Sequence, residues 1–342
     1  MHKYLVALLL IVSLVVAGCN QRTPEEVFKE TVDEVNAAGT MTDDQMAYFR
    51  KLLRDKRSWI RLDGLTSITD EQAESVSNAE VLWLNGLTSI TDAQAQSLSK
   101  VGTIYLDGLT SITETQANSL GNNGIVGLNG LTSISDKQAE SLSNVGRRLE
   151  LNGLNSITDA QAESLGSVDE LLLDSLASIT EKQAGSLSGA GDWLSLSGLA
   201  TITDEQAKTL SKVRELFLWG LTSMSDAQAE SLSHNGTVYF PNLTTIGNAQ
   251  AESLSKASDL YLDGLTSITN EQAKSLSKVD FLSLMSLPAV TDSQAESLGK
   301  VRSLQAYGLT SITDAQAESL SKVRVLRVPD SIRKQIDKFK KK

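Results

Sequence analysis

The sequence predicts an α/β repeat solenoid, in which parallel strands line a concave face, short helices cover the convex face, and a helical cap closes each end. Three observations predict this fold. A phrase of 22 or 23 residues recurs twelve times, each copy begins with the alternation of a short strand, and each continues into a helix-start signal. One copy cannot bury its own apolar face, so the copies must stack.

The period is marked by a small residue that follows each predicted strand. Nine of the eleven spacings between successive copies are 22 residues and two are 23 residues. The marked positions are Gly64, Gly86, Gly108, Gly130, Gly153, Ser175, Gly198, Gly220, Asn242, Gly264, Ser286 and Gly308. This regularity predicts a repeat domain over residues 57–328, with twelve copies and a partial thirteenth.

The first part of each copy has the pattern of a strand with one buried face. In the copy over residues 101–122, Ile104 and Leu106 alternate with polar or aromatic neighbours. Asp107 and Gly108 then close the strand, and both residue types are common turn formers.

The second part of each copy has the signal of a helix start. Thr113 is followed three residues later by Gln116, which is the spacing of a capping box. Thr or Ser with this glutamine occurs in eleven of the twelve copies, and Gly247 replaces the hydroxyl residue in the exception. An acid after the cap suits the positive end of the helix dipole. Each copy is therefore expected to contain a two-turn helix.

The recurring pattern V-x-x-L-x-L-x-G-L-x-x-I resembles the strand-and-turn segment of leucine-rich repeat proteins over about residues 57–328. The resemblance implies a horseshoe solenoid whose concave face binds protein, the usual ligand class of that family. Two departures leave the curvature open. Leu109 and its equivalents stand where the family usually has Asn or Cys, and the unit is shorter than in the subclass whose repeats carry cysteine there. A parallel β-helix is the alternative, and the recurrent helix caps argue against it.

The first 18 residues have the features of a lipoprotein signal peptide. Residues 5–17 are apolar apart from one serine, which is shorter than the ~20 residues of a membrane-spanning helix. The run ends in Val-Ala-Gly-Cys, which resembles the bacterial lipobox and implies a lipid anchor on Cys19, the only cysteine. Asn20 follows this cysteine, and a residue other than Asp at that position resembles the outer-membrane sorting signal of enteric-type bacterial lipoproteins. We therefore expect a lipid-anchored protein of the cell envelope at the outer membrane; the alternative is an ordinary signal peptide with an incidental cysteine.

Both ends of the solenoid are predicted to carry helical caps. Residues 19–56 are expected to form a lipid-anchor linker and an N-terminal cap of two helices, the second opened by a capping box of Thr42 and Gln45. Residues 329–342 are expected to form a basic C-terminal capping helix. Its basic residues are interpreted as a solvated cap, with contact to anionic lipid as the alternative.

Composition excludes several function classes. The net charge is −11, and neutralising phosphates requires clustered Lys and Arg, so we expect no nucleic-acid partner. One cysteine allows no intrachain disulfide. The sequence has no zinc-ligand spacing, no Cys/His nucleophile pair and no phosphate-binding loop, and His234 is expected to be solvated in its loop. No metal, cofactor or catalytic site is therefore predicted.

Aromatic residues identify the predicted binding face. Each strand offers three outward positions, and these form three columns along the concave face. Ten of the eleven aromatic residues in the repeats fall in the columns, and the eleventh, Phe240, belongs to the core. Solvent-facing aromatic clusters are typical of binding surfaces. The alternative is that strands favour aromatic residues and that these cover one another in ladders. The predicted ligand-binding residues are Trp59, Trp83, Tyr105, Trp193, Phe217, Trp219, Tyr239, Tyr261, Phe281 and Tyr307.

The aromatic residues form two groups along the chain, from Trp59 to Tyr105 and from Trp193 to Tyr307. The polar stretch between them contains Arg148, Glu150, Glu170 and Asp174. Two carboxyl groups at ~5–10 Å would suit glycoside hydrolysis. An ion pair with Arg148 explains the same residues more simply, so we do not expect an enzyme.

These observations together predict an envelope-anchored lipoprotein that binds a protein partner through its concave face. Carbohydrate binding is the first alternative, because tryptophan and tyrosine rings stack on sugars. A structural spacer that binds nothing is the second.

Overall fold

The computed structural model describes residues 23–55, 59–234 and 236–340. Thirteen parallel strands form one sheet in chain order, and a helix connects each strand to the next. The predicted α/β repeat solenoid is thereby confirmed. The predicted signal peptide and Cys19 lie outside the described residues. Within the described ranges, no helix is both long enough and apolar enough to span a bilayer.

All the strands have three residues, and all the helices between strands have seven. The strands are β1 Trp59–Arg61, β2 Val81–Trp83, β3 Thr103–Tyr105, β4 Ile125–Gly127, β5 Arg148–Glu150, β6 Glu170–Leu172, β7 Trp193–Ser195, β8 Glu215–Phe217, β9 Thr237–Tyr239, β10 Asp259–Tyr261, β11 Phe281–Ser283, β12 Ser303–Gln305 and β13 Val325–Arg327. The helices are α1 Pro24–Ala38, α2 Asp43–Asp55, α3 Asp70–Val76, α4 Asp92–Leu98, α5 Glu114–Leu120, α6 Asp136–Leu142, α7 Asp159–Leu165, α8 Glu181–Leu187, α9 Asp204–Leu210, α10 Asp226–Leu232, α11 Asn248–Leu254, α12 Asn270–Leu276, α13 Asp292–Leu298, α14 Asp314–Leu320 and α15 Asp330–Ile336.

The strands pair without any shift in register, so equivalent residues of successive repeats lie side by side. Ile104 on β3 pairs with Leu82 on β2 and with Val126 on β4, and all three are fully buried. Each helix adds a buried alanine and leucine to the same core, as Ala117 and Leu120 do. The core is therefore one continuous layer between the sheet and the helices.

The capping-box glutamines join neighbouring repeats. Gln116 accepts the Thr113 N–H through Oε1 at 2.9 Å, and its Nε2 donates to the Ile90 carbonyl of the preceding repeat at 2.8 Å. Ten other repeats make the same backbone bond, whereas Gln316 donates to the Asp292 side chain. A glutamate would accept equally well but has no N–H to donate. This explains why every copy has glutamine at this position.

A second ladder follows the concave edge of the turns. Asp107 Oδ1 accepts the Asn129 N–H at 3.0 Å, and Asn85 Oδ1 accepts the Asp107 N–H at the same distance. The ladder extends from Asp63 to Ser197. The sequence predicted these Asp and Asn residues only as turn formers; the structure shows that they also bond successive repeats together.

Close packing of the repeats explains the glycine that follows every ladder residue except Asp174, which is followed by Ser175. A Cβ atom added at Gly108 would lie 2.3 Å from the Asn85 carbonyl oxygen. The constraint is the approach of the preceding backbone rather than a left-handed conformation, since Gly39 is the one glycine of the described ranges with positive φ.

The two ends are closed by the caps. Asn36 of α1 extends the concave ladder, because its Oδ1 accepts the Gly64 N–H at 2.8 Å. The predicted capping box of α2 is present between Thr42 and Gln45. The C-terminal helix is shorter than expected: α15 ends at Ile336, and a turn over residues 337–339 follows. The Phe339 N–H donates to the Ile336 carbonyl in this turn, and Phe339 packs against the core, so Lys338 and Lys340 lie beyond the helix.

One junction between repeats is weaker than the others. Strands β8 and β9 share one register pair, Phe217 with Tyr239, whereas the other neighbours share three. Across the described residues, Leu218 N–H and Thr237 N–H lack the inter-repeat bonds made by equivalent residues elsewhere. A small cavity opens beside them, next to Phe240, which occupies a position usually held by leucine.

Candidate binding face

All ten predicted binding residues lie on the sheet face opposite the helices, but they differ in exposure. Trp59, Trp219 and Tyr307 are 67%, 48% and 48% exposed. Phe217 is only 8% exposed. The remaining six are half-buried: Trp83, Tyr105, Trp193, Tyr239, Tyr261 and Phe281.

The first three rings form the N-terminal ring group, defined as Trp59, Trp83 and Tyr105. Trp83 stacks on Tyr105 with 5.5 Å between ring centroids, and Trp59 meets Trp83 edge-on at 6.4 Å. The Arg61 guanidinium lies 5.7 Å from the Trp83 ring centroid. Gly127 leaves room for the last ring, since an added Cβ would lie 2.5 Å from Tyr105 Cδ1. The group is thus a short stack with a cation at one end.

Five further rings form the C-terminal ring ladder, which crosses five adjacent strands from β7 to β11. Its centroid separations in chain order are 4.8, 4.9, 4.2 and 4.7 Å. The rings belong to Trp193, Phe217, Tyr239, Tyr261 and Phe281. Neighbouring rings therefore cover one another's faces.

Phe217 differs from the expectation that all ten rings face solvent. It lies between Trp193 and Tyr239 in the ladder, and Trp219 meets it edge-on at 6.0 Å. These three neighbours exclude water from Phe217, so its side chain packs beneath the exposed rings and is not itself part of the exposed surface. Tyr307 stands apart, and no ring contact joins it to another aromatic side chain of the described residues.

The Tyr239 hydroxyl group, in the middle of the ladder, is held in its neutral form. Burial, followed by a hydrogen bond with Tyr261, raises the pKa of Tyr239 to about 12. The charges of Glu215 and Asp259 act in the same direction. At neutral pH Tyr239 therefore remains protonated.

The polar stretch forms the central ion-pair group of Arg147, Arg148, Glu150 and Glu170. Glu170 is 5% exposed, and its two oxygens lie 2.8 Å from Arg147 Nε and 2.5 Å from Arg148 Nε. The Arg148 guanidinium also lies 4.8 Å from the Trp193 ring centroid, which connects this group to the ring ladder. The ion-pair interpretation of Arg148 agrees with this geometry.

Glu150 is less well compensated than Glu170. Arg148 Nη1 is 4.0 Å away, and the Asn129 amide donates to it at 3.5 Å. Burial raises the pKa of Glu150, while Asn129 and Arg148 oppose that shift. This carboxylate therefore destabilises the folded state when it is ionised.

The sequence analysis predicted the aromatic residues as binding residues and did not predict the residues beside them. Met285, in the same outer column as Trp219 and Tyr307, is 41% exposed. Glu215 and Asp259 stand in the opposite column beside the ladder. Counting charges column by column in the sequence would have found both acids. Within the described ranges, no cluster of His, Cys, Asp or Glu has the makeup of a metal site.

Comparisons with known proteins identify the fold. No protein-family profile and no curated protein matches the chain. An internalin structure from Listeria monocytogenes is similar over 86% of this chain and 93% of its own, with 16% sequence identity and a TM-score of 0.54. The structure of the Drosophila Toll–Spatzle complex aligns with 70% of this chain, which spans 41% of that chain, at 12% identity and a TM-score of 0.45.

The similarity to the internalin confirms the predicted leucine-rich-repeat horseshoe. Strands on the concave face, short helices on the convex face and the repeat length together define a leucine-rich-repeat solenoid.

Proposed function

We propose that this protein is a lipid-anchored protein of the cell envelope, at the outer membrane, and that it binds a partner protein through its concave face. One observation carries the binding proposal. Three large, exposed side chains, Trp219, Met285 and Tyr307, lie along one column beside a packed ring ladder. Clustered exposed apolar side chains of this kind mark interaction surfaces.

The ring ladder suits protein binding because it is preorganised. Stacked rings have few rotamers left to lose, so ordering them on association costs little. Tryptophan and tyrosine also dominate the energetic centres of protein interfaces. The ladder thus provides a rigid base from which Trp219 reaches the partner.

The covered ring faces make carbohydrate a weaker fit than protein. A sugar ring stacks on an open aromatic face, but the inner ladder rings use their faces against each other at 4.2–4.9 Å. Trp59, Trp219 and Tyr307 are the rings with substantial exposure, and none of them belongs to the ladder. Trp59 lies on β1, far from the other two along the sheet.

Cross-linking from the concave face tests the binding proposal. A photoreactive phenylalanine at Tyr307 should cross-link to one discrete protein in cells of the source organism, and Trp219→Ala should weaken this product. The same reagent at Gln96, exposed on the convex side, is the matched control. Equal products from both sites would contradict the proposal. A protease-resistant, glycosidase-sensitive product from Tyr307 would favour carbohydrate.

The anchoring proposal is supported by the Val-Ala-Gly-Cys motif that ends at Cys19. Metabolic labelling with a radioactive fatty acid should mark the wild-type protein and leave Cys19→Ser unlabelled, with the variant released from the outer-membrane fraction. A labelled or membrane-retained Cys19→Ser variant would contradict it.

A further inference from the structure

The charges beside the C-terminal ring ladder differ from those on the rest of the concave face. The three columns over β7–β12 contain Glu215, Asp259 and Asp263 and no lysine or arginine. On the N-terminal side, both arginines of the columns are already paired. Arg61 Nε lies 2.5 Å from Asp63, and Arg148 Nε lies 2.5 Å from Glu170. The face over β7–β12 therefore presents negative charge with no cation in its columns, and Arg327 on β13 is the next outward cation along the sheet.

Two of these acids stand in one column on the same side of the ladder. Asp259 on β10 pairs in register with Thr237 on β9, and Glu215 begins β8 on the other side of β9. Because adjacent strands lie ~4.8 Å apart, the two backbone positions are about 10 Å apart. The small Thr237 side chain lies between them. A lysine or arginine side chain placed over Thr237 would meet a carboxylate on either side.

Each acid also has a ladder ring two residues further along its strand. Phe217 follows Glu215, and Tyr261 follows Asp259, on the same face of the sheet. The effect of both carboxylates on the pKa of Tyr239 supports their proximity to the ladder. A cation held here would interact with a carboxylate and with the aromatic surface together.

The acids are available to a ligand. Glu215 has one weak ion pair, with Arg214 at 3.5 Å, and the two side chains are 44% and 64% exposed. Arg214 lies closer to Asp192, at 3.2 Å. Among the described residues Asp259 has no ion pair. Exposed pairs of this kind contribute little and exchange readily. Asp263 is different, since its Oδ1 accepts from Ser283 Oγ at 2.5 Å and from the Met285 N–H at 3.3 Å.

From this arrangement, and resting on the proposed function, we infer that the partner presents a cationic, apolar peptide segment to the C-terminal half of the concave face. Its lysine or arginine side chains lie between Glu215 and Asp259. Its apolar side chains contact the column of Trp219, Met285 and Tyr307 on the opposite side of the ladder.

Synthetic peptides of matched apolar content test this inference with the full chain in detergent. One peptide alternates arginine with leucine, and in two others glutamine or glutamate replaces the arginine. Binding is followed by tryptophan emission and calorimetry. The arginine peptide should bind, and Glu215→Gln/Asp259→Asn should weaken it about tenfold, because two partly exposed charge contacts are lost. The glutamate peptide should not bind.

Glu163→Gln/Glu318→Gln provides the matched control, since it removes two exposed acids from the convex helices. This variant should leave the affinity for the arginine peptide unchanged. Equal weakening by the two double variants would mean attraction by net charge alone and would overturn the inference. Equal binding of the arginine and glutamine peptides would overturn it as well.

The cross-linking at Tyr307 separates this inference from the proposed function. If no peptide binds while Tyr307 still cross-links to a discrete protein, the cationic class of the partner is wrong and the protein-binding function stands. If neither occurs, both fail.

Discussion

Trp219 and Pro241 occupy successive positions of the concave hydrogen-bond ladder, and between them they remove both halves of one bond. Elsewhere the side chain of one repeat accepts the N–H of the residue 22 positions on, as Asp107 accepts from Asn129 at 3.0 Å. Trp219 has no oxygen to accept this bond, and Pro241 has no N–H to donate. The bond between Trp219 and Pro241 is therefore absent, and Ser197 is the last residue of the continuous ladder that begins at Asp63.

This relationship predicts a strong coupling between the two positions. Trp219→Asn alone supplies an acceptor without a donor, and Pro241→Asp alone supplies a donor without an acceptor. The double variant restores the bond, so its free energy of unfolding should exceed the sum of the single effects by about 1 kcal/mol. Denaturant unfolding of the four proteins measures this coupling energy. Additive single effects would show that a hydrogen bond between positions 219 and 241 does not stabilise the folded state.

We predict that the fold requires glutamine at the capping-box position because its side-chain N–H group donates a hydrogen bond to the preceding repeat. Gln183→Glu keeps the acceptor for the Thr180 N–H and loses the donor to the Ile157 carbonyl, 2.8 Å away in the preceding repeat. It also places a carboxylate in a buried position. We expect a loss of about 1–3 kcal/mol, measured by denaturant unfolding at neutral pH. Gln96→Glu, on the exposed side of α4, is the control and should be nearly neutral; equal losses would refute the role of the donor.

The stability of the protein should depend on Glu150 in a defined direction. Burial raises the pKa of this carboxyl in the folded state, so its ionisation destabilises the fold. The destabilisation appears as pH rises above the ordinary value of 4.5 and is absent where the group is protonated in both states. Glu150→Gln should therefore raise Tm at pH 7 and have little effect near pH 3. A constant difference at all pH values would point to packing instead.

The weak junction between β8 and β9 is predicted to open before the others. Thr103 and Leu106 donate inter-repeat bonds of 2.9 and 2.8 Å, and the equivalent Thr237 and Leu218 do not. Amide hydrogen exchange measures local opening directly. Thr237 and Leu218 should exchange measurably faster than Thr103 and Leu106 under conditions in which the whole chain stays folded. Equal protection at the two junctions would contradict this expectation.

The solenoid follows from the sequence because its period, alternation and helix caps all predict one structure. The links between repeats were harder to foresee. Asp and Asn before glycine are turn formers in any protein, and a capping-box glutamine is explained within its own helix. Their second bonds, such as Gln116 to Ile90, appear only when two copies are stacked at a known distance.

The candidate face was predictable in outline and not in detail. Alternation along a strand assigns Phe217 to the concave side, but its burial depends on how far Trp193, Trp219 and Tyr239 lean over it. The orientations of these rings result from packing between strands, and the alternation of residues along a single strand carries no information about that packing. The acids beside the ladder are visible in the sequence, and their lack of close partners becomes visible only with distances.

The in-register stack also makes the backbones of the repeats interchangeable. Each ladder bond connects a repeat only to its immediate neighbour, so insertion or loss of one whole unit would lengthen or shorten the sheet by ~4.8 Å and leave every other contact as it was. The exceptions are the units whose side chains contact one another in a fixed order, namely the N-terminal ring group, the central ion-pair group and the units from Trp193 to Phe281. Gene duplication can therefore adjust how far this face stands from either end of the molecule, in single steps, without altering the face itself.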